Sequence, residues 1–110
     1  DRVLFDYDSA KLDSSAKILL DAQSRFLRAN TDLNFIVEGH CDERGTEDYN
    51  ISLGERRALA VGDELLRLGV SPDRLRTTSY GEKVPVADGA TEQSYAENRR
   101  GEFVLLKPAN

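Results

Sequence analysis

Residues 38–58 read EGHCDERGTEDYNISLGERRA, and this stretch decides how the rest of the chain is interpreted. The apolar run at residues 35–37 predicts a strand, the charged residues after it predict a loop, and an amphipathic pattern then predicts a helix. Asp42 thus falls at the end of a strand, and Arg57 lies two or more turns into a helix. A guanidinium donates two parallel hydrogen bonds to a carboxylate, and a carboxylate accepts hydrogen bonds from an ammonium group. Because the strand end and the helix would hold these opposite charges at a fixed separation, the pattern predicts a binding site for a small zwitterion.

The helical periodicity places Arg57 on the side of the helix that faces the loop. Leu53 and Arg57 are four residues apart and share one helix face, whereas Arg56 lies about 100° further round and should be solvated. A structural interpretation is also open: Asp42 and Arg57 could form an ion pair, or Asp42 could accept from loop amides. Charge pattern alone favours the structural interpretation, because surface ion pairs are common and often contribute little.

Length and composition limit the class of protein. With 110 residues, the chain is expected to form one domain, residues 1–110, with a single core. The net charge of −5 argues against nucleic acid as a partner, because phosphate binding depends on an excess of Lys and Arg. No apolar run approaches the ~20 residues of a membrane-spanning helix, and no signal-peptide pattern follows Asp1, so we expect any leader or anchor to lie upstream. The single cysteine rules out an internal disulfide.

Apolar runs and turn signals predict four strands and three helices along the chain. The predicted strands cover about residues 3–5, 34–39, 75–80 and 103–106, and the helices about residues 14–29, 49–68 and 92–98. We therefore expect an α/β (α+β) fold, a two-layer sandwich in the order β-α-β-α-β-(short α)-β. Its four-stranded mixed sheet would be covered mainly on one face by the two long helices. The order of the strands within the sheet stays open.

Local signals refine the ends and faces of the helices. Asp13 and Ser14 are candidate N-caps of the first helix, and Gly69 is suited to end the second. Ser94 and Glu97 have the spacing of a capping box for the short helix. The inner face of the first helix is expected to carry Ala16, Leu19, Leu20, Phe26 and Leu27.

The central motif closely resembles the signature of the OmpA-like peptidoglycan-binding domains, in particular their peptidoglycan-associated lipoprotein branch. The residues that carry the resemblance are Gly39-His40-Cys41-Asp42, followed by Asn50, Leu53, Gly54, Arg57 and Ala58. The resemblance implies that Asp42 binds the ammonium and Arg57 the carboxylate of meso-diaminopimelate in the peptidoglycan stem peptide. It further implies a binding role, without enzymatic activity, for Tyr7, Asp8, Asn50, Leu53, Asn98 and Arg99.

The resemblance also implies a setting and a protein partner. It predicts a periplasmic domain of the Tol-Pal system that tethers the outer membrane to the cell wall through an upstream lipid anchor. TolB would compete with peptidoglycan for a rim formed by Glu43, Arg44, Glu47 and Tyr49. Cys41 departs from the Ala or Thr that is more frequent in the family. The soluble domain of an OmpA-type porin or of a flagellar stator is the alternative with the same ligand.

Two other chemistries are open to comparison. Asp6-Tyr7-Asp8 after an apolar run resembles the opening Asp-x-Asp of haloacid-dehalogenase phosphatases, but Ala10 stands where that pattern has Thr or Val. His40, Asp42 and Glu43 offer only a partial metal site, so we predict no metal and no cofactor. His40 is expected to be a half-buried polar residue and Cys41 a small buried hydrophobe.

Overall fold

The computed structural model describes residues 2–106, in which four strands and three helices alternate. The strands are β1 (Arg2–Leu4), β2 (Asn34–His40), β3 (Leu75–Gly81) and β4 (Arg100–Leu106). The helices are α1 (Ser14–Ala29), α2 (Glu47–Arg67) and α3 (Glu92–Asn98), and a single 3₁₀ turn spans Pro72–Arg74. This order confirms the predicted α/β succession. None of the helices in the described part of the chain is long and apolar enough to cross a membrane.

The sheet has the order β1-β4-β2-β3 and is mixed, as predicted. β2 runs parallel to β3 and antiparallel to β4. The parallel pair requires a crossover connection, which α2 and the 3₁₀ turn provide. β2 is therefore an interior strand, with its carboxyl end at the start of the loop that carries Asp42.

The hydrophobic core lies between the sheet and the two long helices. Phe35 and Val37 share one face of β2 and are fully buried, whereas Ile36 on the other face is half-buried. The core cluster comprises Val3, Phe5, Ala16, Leu20, Leu27, Phe35, Val37, Ala58, Val61, Leu65 and Val70. One expectation for the inner face of α1 needs correction, because Phe26 is 45% exposed. Ser24, which was not predicted on that face, is buried, and its hydroxyl donates to the Asp21 carbonyl.

The helix ends follow capping chemistry, with one correction. Asp13 caps α1 by accepting from the Ala16 amide, and Thr46 caps α2 by accepting from the Tyr49 amide. Gly69, at φ 100°, follows α2 in the left-handed conformation predicted for it. The cap of α3 is Thr91, which accepts from the Ser94 amide, so the expectation of a capping box that starts at Ser94 was wrong.

Candidate functional site

A cleft forms where the loop after β1, the loop after β2 and the first half of α2 meet. Its lining residues are Tyr7, Asp8, Cys41, Asp42, Arg44, Asn50, Leu53 and Arg57, and we call it the Asp42–Arg57 cleft. It therefore brings together six of the eight residues predicted to bind ligand. Its cavity volume is only ≈ 10 Å³, about the space of one water molecule.

Arg57 forms one wall of the cleft and is itself 1% exposed. Its guanidinium donates from Nε to the Ser9 carbonyl (2.8 Å), from Nη1 to the His40 carbonyl (2.9 Å) and from Nη2 to the Asp6 carbonyl (3.0 Å). A guanidinium has five N–H groups, so these bonds leave one on each terminal nitrogen. Arg57 thus fixes the loop after β1, and two of its five N–H groups make no hydrogen bond to a backbone carbonyl.

Asp42 lies at the start of the loop after β2, with its side chain only 5% exposed. Among residues 2–106, no hydrogen bond or ion pair joins its carboxylate to Arg57. Instead, Oδ1 accepts from the Arg44 amide (3.0 Å) and Nε (3.2 Å), and Oδ2 accepts from Arg44 Nη2 (2.8 Å). Arg99 Nη1 lies 3.7 Å from Oδ2.

The electrostatics of Asp42 follow from these contacts. Burial raises the pKa of the Asp42 carboxyl, but the hydrogen bonds from the Arg44 side chain and amide, with the nearby Arg99 charge, outweigh burial and set a net pKa below its usual value. Asp42 is therefore an anion at neutral pH. Burial lowers the pKa of Arg57, which Asp42 partly offsets.

Arg44 lies over Asp42, whereas the sequence placed it on the outer rim. Its guanidinium carbon lies 4.2 Å from the ring centroid of Tyr7 and 4.2 Å from that of Tyr95, so two aromatic rings flank it. Glu92 Oε2 lies 3.9 Å from Arg44 Nη2. Tyr95 was not predicted as a site residue, because it lies on α3, about fifty positions after Asp42, and no local pattern links the two.

Asn50 and Leu53 shape the cleft from α2. Both side chains are buried, and Leu53 forms part of the apolar wall. Asn50 Nδ2 donates to the Arg44 carbonyl (2.9 Å) and to Glu82 Oε1 (3.0 Å). Cys41 is buried, as predicted, and its thiol donates to the Asn50 carbonyl (3.2 Å). Burial raises the pKa of the Cys41 thiol, so it is not a reactive thiolate.

Asn98 and Arg99, the other two predicted ligand residues, do not line the cleft. Asn98 Oδ1 accepts from the Val86 amide (2.8 Å) and the Ala87 amide (3.2 Å), and Nδ2 donates to the Ala87 carbonyl (2.9 Å). Asn98 thus fixes the loop before α3. Arg99 donates to the Phe5 carbonyl (2.8 Å) and contributes positive charge behind Asp42.

The remaining rim residues are exposed around the mouth of the cleft. Tyr49 donates a hydrogen bond to the Asp8 carboxylate, which ties α2 to the loop after β1. Glu47 pairs with Lys83 (2.8 Å), and Glu43 accepts from the Tyr95 hydroxyl (3.4 Å). Tyr7 is 61% exposed. The rim therefore combines aromatic and acidic side chains on several elements.

His40 belongs to a different polar cluster, and the structure corrects two expectations about it. It is fully buried, and its neighbours are Glu38 (Oε1 at 3.1 Å) and Glu102 (Oε2 at 3.8 Å); Asp42 and Glu43 are not among them. Three potential metal ligands meet here, but Arg100 Nε lies 3.3 Å from Glu102 Oε1 and supplies the neutralising charge. Burial lowers the pKa of His40, which the Glu38 hydrogen bond only partly opposes.

Comparison with curated proteins gives close relatives over most of the chain. The chain is 51% identical over 99 residues to the peptidoglycan-associated lipoprotein of Pseudomonas putida, covering 90% of this chain and 59% of that protein. It is 43% identical over 105 residues to the lipoprotein of that name from Rhizobium meliloti, covering 96% of this chain and 60% of that protein. The chain thus spans about three fifths of the length of these relatives.

Solved structures share the fold. The crystal structure of the peptidoglycan-associated lipoprotein from Burkholderia pseudomallei matches with a TM-score of 0.93 at 37% identity, covering 96% of this chain and 89% of that chain. The C-terminal domain of Helicobacter pylori MotB matches with a TM-score of 0.91 at 22% identity, covering 99% and 86%, a likeness of fold alone.

These relationships confirm the resemblance to the peptidoglycan-associated lipoprotein branch and the prediction of a domain that is not an enzyme. The Asp-x-Asp phosphatase interpretation is set aside accordingly. The sequence model of the OmpA family matches residues 4–99, and the chain belongs to that family.

Proposed function

We propose that this domain binds peptidoglycan non-covalently through the free amino-acid head of meso-diaminopimelate in the stem peptide. Asp42 would accept from the ammonium group, and the two remaining N–H groups of Arg57 would hold the carboxylate. One observation carries the proposal: the two charges line one cleft but are bonded to different partners, so neither neutralises the other. The names of the relatives, which are peptidoglycan-associated lipoproteins, support the choice of ligand.

The remaining predicted residues fit this proposal in two ways. Tyr7, Asp8, Asn50 and Leu53 would contact or enclose the head group, because they line the same cleft. Asn98 and Arg99 would act indirectly, since Asn98 fixes the loop before α3 and Arg99 lies behind Asp42. The contact energy would be moderate, because each charge-assisted hydrogen bond contributes about 1.5–3 kcal/mol.

In the cell, we infer a periplasmic domain anchored to the outer membrane through a lipid on an upstream segment. It would connect that membrane to the cell wall as part of the Tol-Pal system. TolB would bind the exposed rim of Glu43, Glu47 and Tyr49 around the cleft mouth and thereby exclude peptidoglycan. Binding of TolB that is unaffected by saturating peptidoglycan would contradict this competition.

Co-sedimentation with purified cell-wall sacculi tests the proposal. Asp42→Asn removes the charge that receives the ammonium and should abolish sedimentation with the sacculi. Asp48→Asn makes the same charge change on the exposed first turn of α2 and serves as the matched control. Wild-type sedimentation by the Asp42 variant, with its circular dichroism spectrum unchanged, would refute the assignment.

A further inference from the structure

The guanidinium of Arg44 occupies the position on Asp42 that a ligand ammonium would take. We propose that Arg44 is an intramolecular occupant of this cation position, and that a ligand reaches Asp42 only by displacing it. On this basis Arg44 lowers the affinity of the cleft for any ligand that brings a cation to Asp42. The inference rests on the function proposed above, and it adds how access to the site is limited.

Two kinds of contact hold Arg44 in this position. Its side chain makes two hydrogen bonds to the Asp42 carboxylate, at 3.2 and 2.8 Å. The rings of Tyr7 and Tyr95 each lie 4.2 Å from its guanidinium carbon, an arrangement in which a cation is attracted by the ring face. The carboxylate and the two rings together form a receptor for a planar cation, and Arg44 fills it.

The Asp42–Arg57 cleft is so small that one of its side chains must move before a ligand enters. An amino-acid head consists of an ammonium, a carboxylate and the carbon between them. The ≈ 10 Å³ of the Asp42–Arg57 cleft accommodates about one water molecule. An amino-acid head is larger than this space, and Arg44 is the side chain that covers the Asp42 carboxylate.

Arg44 is better able to move than the buried side chains of the cleft. Arg57, Asn50 and Leu53 are 1–4% exposed, and Arg57 and Asn50 are hydrogen-bonded to backbone carbonyls. The Arg44 side chain is 34% exposed and lies on a loop. Glu92, 3.9 Å away with a 71% exposed side chain, can keep the displaced guanidinium as a partner.

Displacement lowers the affinity of every ligand that places a cation on Asp42. Each such ligand must first break the two hydrogen bonds and two ring contacts of Arg44, so each loses the same factor in affinity. A preference for a zwitterionic head over a simple amine, such as a lysine side chain, would come from the carboxylate contact with Arg57.

Calorimetric titration with two soluble stem peptides, one ending in diaminopimelate and one with lysine at that position, tests the inference. Arg44→Gln should bind the diaminopimelate peptide about three- to tenfold more tightly than the wild type. The affinity for the lysine peptide should rise by a similar factor, because both peptides displace the same guanidinium. Arg56→Gln, the same change at an arginine of α2 that lies over Tyr49, should leave both affinities unchanged. Equal or weaker binding of the diaminopimelate peptide by Arg44→Gln would overturn the proposal.

A second measurement separates this inference from the proposed function. Side-chain NMR of the free protein should show that the Arg44 Nε–H proton exchanges slowly with water. This exchange should become fast in Asp42→Asn and on saturation with the diaminopimelate peptide. If no variant binds either peptide, the proposed function fails, and slow exchange that depends on Asp42 still upholds the intramolecular occupancy. An Arg44 Nε–H that exchanges fast in the free wild type, or stays slow at saturation, contradicts the inference.

Discussion

Gly39 of β2 and Gly54 of α2 lie in direct backbone contact where the helix crosses the strand. A Cβ atom added to Gly39 would lie 1.7 Å from the Gly54 carbonyl oxygen, and one added to Gly54 would lie 2.1 Å from Ser79 Oγ. Asp42 and Arg57 each follow one of these glycines by three positions. The width of the cleft therefore depends on a helix-to-strand approach that only glycine permits.

We predict that Gly39→Ala is strongly destabilising. The new methyl group would overlap backbone, which cannot rotate away, and overpacking of this kind costs about 1–3 kcal/mol or more. Because the methyl group would push α2 away from β2, it should also misalign Asp42 and Arg57 and weaken binding to sacculi. Urea denaturation measures the first effect and co-sedimentation the second.

Gly62→Ala, on the helix that Gly39 contacts, is the matched control. A Cβ at that position would meet the flexible end of Leu75 at 3.2 Å. In a helix interior, alanine is more stabilising than glycine by about 0.5–1 kcal/mol. Its free energy of unfolding should stay close to that of the wild type. A Gly39→Ala variant as stable as this control would show that the close crossing is unimportant.

Arg57→Lys should lose stability and binding together while it conserves charge. Lysine cannot reproduce the planar fork that reaches the carbonyls of Asp6, Ser9 and His40. Each buried carbonyl left without a donor costs about 1–3 kcal/mol. Urea denaturation and titration with a stem peptide would measure the two effects. Wild-type affinity in this variant would mean that a single positive charge suffices for the carboxylate.

His40 should make stability depend on pH between 7 and 5. In the unfolded chain, an imidazole takes up a proton as the pH falls through about 6.5, whereas burial lowers the pKa of His40 in the fold despite the Glu38 hydrogen bond. The unfolded state then binds more protons, so the free energy of unfolding falls as the pH falls. His40 is the single histidine of the chain.

Thermal unfolding of the wild type and of His40→Gln at several pH values checks this dependence. The melting temperature of the wild type should decrease from pH 7 to pH 5, and that of the variant should change less. Glu38, Glu102 and Arg100, which surround the imidazole, remain in both proteins. Parallel profiles would assign the pH dependence to other groups.

Local patterns in the sequence predicted the elements well because each pattern reflects a local cause. The apolar pattern of β2, the cap at Asp13 and the glycine after α2 depend on neighbours in sequence, and each was found where expected. The sequence also predicted that Asp42 and Arg57 meet at one cleft, because it placed Asp42 at the end of a strand and Arg57 on the helix face directed toward that loop.

Features that depend on distant contacts were not predictable in the same way. The strand order β1-β4-β2-β3 requires long-range pairing that no local pattern specifies. The position of Arg44 depends on Tyr95 from α3, and the burial of His40 depends on Glu102 and Arg100 from β4. A charged side chain in a loop is by default assigned to solvent, which is why the sequence pattern assigns Arg44 to the rim.

The central claim is that Asp42 binds the ammonium and Arg57 binds the carboxylate of one amino-acid head. Titration calorimetry on the wild type with a diaminopimelate stem peptide, and with the same peptide carrying a carboxamide in place of the free head carboxylate, tests it most directly. Loss of one charge-assisted contact of about 1.5–3 kcal/mol predicts roughly ten- to hundredfold weaker binding of the carboxamide. Equal affinity for the two peptides would contradict the account.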